Sequence, residues 1–351
     1  MKTLVTGANG FLGSAVMRQL LAVGHEVRVL LRANSDWRNI HNYPVEICVG
    51  DLCDTASLKR AVKDCTNLFH VAADYRLWIP DPQAMYATNV QGTQSLILAA
   101  AEAGISRMVY TSSVATLGYN QDSSPADENT PSSLCMMTGH YKRSKFLAEQ
   151  VVQQLTDRYQ LPLVIVNPST PIGPYDIKPT PTGRIVLDTL LGRMPAYVAT
   201  GLNVAHVDDV AKGHLAAFKK GQAGERYVLG GENMSLLQIL TTIDKLTDKP
   251  TNRLCLAHNL VLPIAWLMEK TAQLTGTEPR ATVDGVRMAK RLMYFSSAKA
   301  MRELNYQYRP AAEAINDAIV WFAENGYCEA NLQLDNVDMC NNNIKSQAKG
   351  I

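Results

Sequence analysis

Three glycines at every third position, Gly7, Gly10 and Gly13, directly behind the apolar run Thr3–Thr6, constrain this chain more than any other feature. A strand that ends in such a loop and leads into an amphipathic stretch, here 13–23, reads as the opening strand–turn–helix of a dinucleotide fold. Gly7 suits the tight turn, Gly10 lets a pyrophosphate approach the backbone, and Gly13 lets the helix pack closely. The free N–H groups of the helix start then face the phosphates. A glycine triplet alone fits many turns; its place between first strand and first helix makes it specific.

The same alternation continues. Strands are expected near Thr3–Thr6, Glu26–Leu31, Val45–Val49, Asn67–Ala72, Arg107–Ser112 and Leu163–Val166, with helices near 13–23, 55–63, 86–103 and 140–158. This predicts an α/β fold, a doubly wound parallel sheet covered on both faces. After Val166 the chain turns rich in Pro and Gly (Pro168, Pro171, Gly173, Pro174, Pro179, Pro181), which marks it leaving the sheet. Residues 204–229 read as a return. With 351 residues there is room for two cores. We assign 1–169 and 203–231 to the dinucleotide domain, 170–202 and 232–325 to a smaller, mostly helical substrate lobe, and 326–351 to a loosely ordered tail.

Composition narrows the partners. The balance of 34 basic and 32 acidic residues, +2 net, with no basic–aromatic run, argues against a nucleic-acid surface. Seven cysteines form no Cys-x-x-Cys pair, so reduced thiols in a cytoplasmic protein are expected, and no metal. Met1-Lys2 leads straight into a strand, which leaves no room for a leader peptide. The apolar stretch Leu260–Met268 is broken by Pro263 and shorter than the ~18 residues of a membrane span; it reads as a core helix, with a dimer contact or lipid-facing patch as alternatives. His206 with Asp208 and Asp209 is read as a helix start capped by Asp208.

Three further groups carry chemistry. At the end of the second strand, where an acid would hold a ribose 2′-hydroxyl, stands Arg32. A guanidinium suits a 2′-phosphate, so NADP(H) is expected, with NAD(H) open because Asp36 lies nearby. Tyr141 and Lys145 lie one helical turn apart and share a face, setting a cation beside a phenol. Acid–base work by a phenol needs its pKa of ~10 brought down, by Lys145 and by a positive nicotinamide ring. Ser113 ends the fifth strand at the carboxyl edge, where ligands of such sheets bind, and its hydroxyl can hold a carbonyl oxygen.

Glycine loop, Thr111-Ser112-Ser113 and Tyr141-x-x-x-Lys145, in this order, resemble the extended short-chain dehydrogenase/reductase superfamily and its NAD-dependent epimerase/dehydratase family over residues 1 to about 325. The segments 70–78, 167–174 and 206–210 are most similar to the hopanoid-associated sugar epimerase group, itself similar to dihydroflavonol 4-reductases. The resemblance implies a catalytic Ser113, Tyr141 and Lys145. It implies cofactor contacts at Gly7, Asn9, Gly10, Phe11, Leu12, Gly13, Arg32, Asp51, Leu52, Ala72, Ala73, Tyr141, Lys145, Pro168 and Ser169, support from Asn89, and a homodimer built on helices beside that of Tyr141. Tyr75, Trp78, Ser113, Thr170 and Tyr175 are expected around a small-molecule substrate, with Arg76 and Arg184 at its edges. Dehydratases of the superfamily carry an Asp-Glu pair after the hydroxyl; Val114-Ala115 stand here, which disfavours elimination. The preferred reaction is NADP(H)-dependent carbonyl reduction or its reverse. Sugar epimerisation linked to hopanoid synthesis, and a non-catalytic dinucleotide-binding regulator, stay open.

Overall fold

The computed structural model describes residues 1–328 except 80, 250, 251 and 278. Seven strands form the main sheet: β1 (Lys2–Thr6), β2 (Glu26–Leu31), β3 (Val45–Val49), β4 (Asn67–His70), β5 (Arg107–Thr111), β6 (Leu163–Pro168) and, after three strands of the second body, β10 (Arg226–Leu229). Their order is β10-β6-β5-β4-β1-β2-β3, every pair parallel. The order reverses between β1 and β4, and the carboxyl ends there open a crevice for a ligand. Strand residues alternate between two cores because the side-chain period is two. Val5, Val29, Phe69, Val164 and Val166 pack with helices α1 (Phe11–Ala22) and α7 (Val207–Lys220). Leu4, Leu30, Leu68, Tyr110 and Ile165 pack on the other face with α2 (Thr55–Val62), α4 (Thr93–Glu102) and α5 (Gly139–Tyr159). The fold is the expected doubly wound parallel sheet.

Between β4 and β5 the chain forms α3 (Pro82–Tyr86), a π-helical turn over Ala87–Gly92, and α4, where one unbroken helix was expected. The wide turn carries Asn89, and such bulges frequent functional sites.

The lobe holds more strand than expected. β7 (Thr170–Ile172), β9 (Gly201–His206), β11 (Glu232–Ser235) and β13 (Leu292–Met293) form a four-stranded sheet, and β8 (Ala196–Val198) pairs with β12 (Leu254–Leu256). β9 is buried throughout, so its run lacks the alternation that would assign it to a layer; it joins the lobe's sheet, and the return to the main body starts with α7. Around this sheet lie α6 (Pro181–Leu190), α8 (Leu236–Thr247) and α12 (Ala311–Glu324), sharing a core of Ile172, Val186, Val204, Ile239, Ile315 and Phe322. Helices α9 (His258–Thr275), α10 (Val283–Ala289) and α11 (Ala298–Leu304) complete the described chain. α9 is no core helix: Leu260, Ile264, Trp266 and Leu267 are exposed, because it packs chiefly on α10. No described helix is long and apolar enough to cross a membrane. Tyr327, assigned to the loose tail, instead stacks on Trp321 and Phe322 and donates to the Ile177 carbonyl at 2.6 Å. The tail from 329 lies outside the described residues.

Candidate active site

At the glycine loop the three residues do different things. Gly7 has φ +73°, a conformation that disfavours side chains, and a Cβ there would lie 2.7 Å from Ala72 N. Gly13 packs the helix on the loop itself, since a Cβ would fall 2.0 Å from the Gly7 carbonyl oxygen. Gly10 has ordinary backbone angles (φ −83°) and a Cβ there would have only the Gly7 oxygen within 4 Å, at 3.3 Å, so its outer side is open for approach. No side chain caps α1, which leaves its first N–H groups facing the crevice. The residues thus fit a dinucleotide's diphosphate.

Neighbouring loops are tied to this cradle. Ala72 N donates to Thr6 Oγ1 at 3.2 Å. The Asp51–Leu52 turn is held by Ser57, whose hydroxyl accepts from Asp51 N at 3.0 Å. Asn89 accepts from Asp74 N at 2.7 Å and donates to its carbonyl and to Ser144 Oγ, joining the loop after β4 to α5. Arg32 is exposed at the end of β2. Asp36, the nearby acid, is held in a two-pronged pair by Arg38, at 2.7 Å for its shortest contact, which lowers its pKa to about 2.

The hydroxyl end assembles at the carboxyl ends of β5 and β6. Ser113 Oγ accepts from Ala115 N at 3.1 Å, capping the short turn Val114–Thr116, and the Ser113 side chain faces the Tyr141 phenol and favours its ionised form. Burial raises the Tyr141 pKa against the lowering effect of Ser113. Lys145 is 3% exposed; burial lowers its pKa to about 8, opposed by the charge of Glu149. Here the structure departs from expectation. The Lys145 ammonium donates to the Thr111 carbonyl at 2.9 Å and to Tyr110 Oη at 3.3 Å. Spacing set both residues on one face, but the long lysine stem reaches on to the strand. The phenol is left protonated at neutral pH.

Of the expected substrate contacts, Thr170 opens β7, partly buried, and Tyr75 is exposed beyond β4. Trp78 is partly buried in the same loop, where Arg76 pairs with Asp74. Arg184 Nε donates to the Pro179 carbonyl at 3.3 Å. Tyr175, at φ +73°, packs under the Arg18 guanidinium, 4.1 Å from its ring centre, and beside Trp321, while Asn39 donates both to its carbonyl and to that of Asn9. It therefore belongs to the glycine-loop end. His206, not Asp208, caps α7: its Nδ1 accepts from Asp208 N at 3.0 Å, and Asp208 pairs with Arg18. Among the described residues no cluster of three or more His, Cys, Asp or Glu is placed to hold a metal, and six cysteines are free thiols.

Sequence reasoning missed Glu149, Thr116 and Arg226, which form a buried network under Ser113, and Tyr110, the partner of Lys145. A signal existed for Glu149, since Tyr141, Lys145 and Glu149 repeat every four residues along one helix stripe.

Parallel sheet, glycine cradle and hydroxyl cluster at one edge define a nicotinamide-dinucleotide enzyme. Residues 3–230 match the model of the NAD dependent epimerase/dehydratase family, and the chain belongs to that family. It is 45% identical over 327 residues to a Synechocystis sp. protein provisionally named dihydroflavonol 4-reductase, covering 92% of this chain and 95% of that one. Sterol demethylase protein B of Methylococcus capsulatus is 35% identical, covering 93% and 99%. The crystal structure of gox2253 superposes with a TM-score of 0.84 at 50% identity, covering 93% and 99%.

Proposed function

We propose that this protein is an NADP(H)-dependent reductase of a carbonyl group on a small organic or sugar substrate, working through Ser113, Tyr141 and Lys145. The observation that carries the proposal is the convergence of Ser113, Tyr141 and Lys145 at the sheet's carboxyl edge, where the Lys145 ammonium bonds the Thr111 carbonyl at 2.9 Å and burial keeps the Tyr141 phenol protonated. A protonated phenol is the form needed to deliver a proton to an oxygen that is gaining charge. The name of the Synechocystis relative supports net reduction.

Gly7, Asn9, Gly10, Phe11, Leu12 and Gly13 would hold the diphosphate, Asp51 and Leu52 the adenine side, Ala72 and Ala73 the middle, and Pro168 and Ser169 the nicotinamide. When bound, the reduced nicotinamide supplies the hydride. Ser113 and Tyr141 orient the substrate oxygen by hydrogen bonds, and Tyr141 gives it the proton, so hydride and proton together convert carbonyl to alcohol. Lys145, ammonium below about pH 8 and held by the Thr111 carbonyl, would bind the nicotinamide ribose. The preference for a 2′-phosphate is supported by Arg32 and by the commitment of Asp36 to Arg38.

The test is consumption of NADPH with a panel of aldehydes, ketones and α-diketones such as diacetyl. Reduction requires loss of NADPH absorbance. No consumption, with cofactor retained through gel filtration, would overturn the reading in favour of epimerisation. The same reading takes the chain as a homodimer, which sedimentation checks.

A further inference from the structure

Glu149 stands one turn beyond Lys145 on α5 and is 3% exposed. A carboxylate at that depth is costly unless fully bonded. Its partners come from four segments. Oε2 accepts from the Ser112 hydroxyl at the end of β5, from Thr116 Oγ1 at 2.9 Å in the turn after Ser113, and from Asn167 Nδ2 at 2.8 Å on β6. Oε1 pairs with Arg226 at 2.9 Å on β10. Two of these partners also hold Ser113 itself: Asn167 Nδ2 donates to its carbonyl at 3.1 Å, and the Thr116 hydroxyl lies 2.8 Å from the same oxygen. The residue before Ser113, its carbonyl and the turn after it are thus anchored through one buried charge.

We propose that Glu149 is a positioning residue for the Ser113–Tyr141–Lys145 cluster, fixing the backbone of Ser113 against β6 and β10 and supplying the counter-charge for the Lys145 ammonium. The inference rests on the reading of that cluster as the reactive one. Glutamine cannot substitute. If its carbonyl oxygen faces the three donors at Oε2, its amide N–H groups face the Arg226 guanidinium, donor against donor; turned round, it opposes the hydroxyls and Asn167.

The groups facing Lys145 show why the charge matters. From β5 come the Thr111 carbonyl and the Tyr110 hydroxyl, from β4 the neutral His70, whose pKa burial lowers to about 3, and from α5 Tyr141 and Glu149; Arg226 lies on the far side of Glu149. Glu149 is the group that raises the Lys145 pKa against burial. Without it Lys145 gives up its proton at lower pH.

The test compares the full-length chain with Glu149→Gln, Thr116→Val and Tyr141→Phe, each checked for folding by thermal melting. Turnover of NADPH with diacetyl and the NADPH dissociation constant are followed against pH. For Glu149→Gln the expected result is kcat lower by roughly 10- to 100-fold, with the alkaline limbs of both turnover and NADPH binding moved towards neutrality. Thr116→Val, which keeps the charge but drops one anchor, lowers kcat and leaves the limbs in place. A folded Glu149→Gln with unchanged kcat, or with lower kcat and unmoved limbs, would overturn the proposal. Should Glu149→Gln not fold, unchanged kcat in Thr116→Val overturns it. Turnover persisting in Tyr141→Phe instead refutes the reading of the cluster beneath it.

Discussion

Adding one methyl group at Gly10 separates cofactor binding from folding. Gly10 sits at φ −83°, ψ 174°, which alanine adopts without strain, and the new Cβ would meet only the Gly7 oxygen, at 3.3 Å. The protein itself should therefore melt near the wild-type temperature. The methyl occupies the side on which a diphosphate must approach the backbone. Forcing a methyl into a fitted contact costs about 1–3 kcal/mol, which is roughly 5- to 150-fold in dissociation constant. Gly13→Ala is the contrast: its Cβ would lie 2.0 Å from the Gly7 oxygen, so loop and helix must part and stability falls together with affinity. Fluorescence titration with NADPH and thermal melts of both variants decide the matter. A Gly10→Ala protein that binds NADPH as tightly as wild type would refute the placement of the diphosphate.

Tyr141→Phe should lower turnover at least ~100-fold while leaving the NADPH dissociation constant close to wild type, since only proton transfer is lost; steady-state kinetics with a binding titration checks both. Arg32→Ala should weaken NADPH by ten-fold or more, the worth of a charge-assisted bond of about 1.5–3 kcal/mol, and leave NADH unchanged; parallel titrations read the ratio. Stability should fall below pH 6.5. Burial holds His70 and His214 neutral, with pKa values of about 3 and about 4 against 6.5 unfolded, so the unfolded chain binds the extra protons as pH drops. At about pH 5 the two together cost about 4 kcal/mol, at ~1.4 kcal/mol per unit each. Asp176, raised to about 6 by burial, gains stability in the same range and offsets about 1 kcal/mol of this. Urea melts at the two pH values should show the difference.

The main sheet was legible because parallel strands buried on both faces read as apolar runs, and Leu163–Val166 or Val29–Leu31 stand out without any partner information. At the glycine loop Gly7 and Gly13 were legible, because each answers a steric demand of the fold itself. What escaped depends on long-range contacts. β9 is as buried as a main-sheet strand, and only its pairing with β7, β11 and β13 places it in the lobe. The shorter of the two Lys145 hydrogen bonds goes to a carbonyl that any residue at position 111 would present, so no side-chain pattern announces it. Asp208 looked like a cap because aspartate commonly is one, yet the helix starts at Val207, so His206 stands at the cap and accepts from Asp208 N. Glu149 carried a periodic signal, but its four partners lie 18 to 77 residues away in sequence.

Reduction sends the cofactor's hydride and the Tyr141 proton together into a released alcohol. Diacetyl offered with NADPH deuterated at the reactive nicotinamide carbon tests it directly. Mass spectrometry should find one deuterium on the carbinol carbon of the product, with one NADP+ released for each, and both formed at least ~100-fold more slowly in Tyr141→Phe. An absence of deuterium in any product, with the cofactor still bound and unspent, would contradict it.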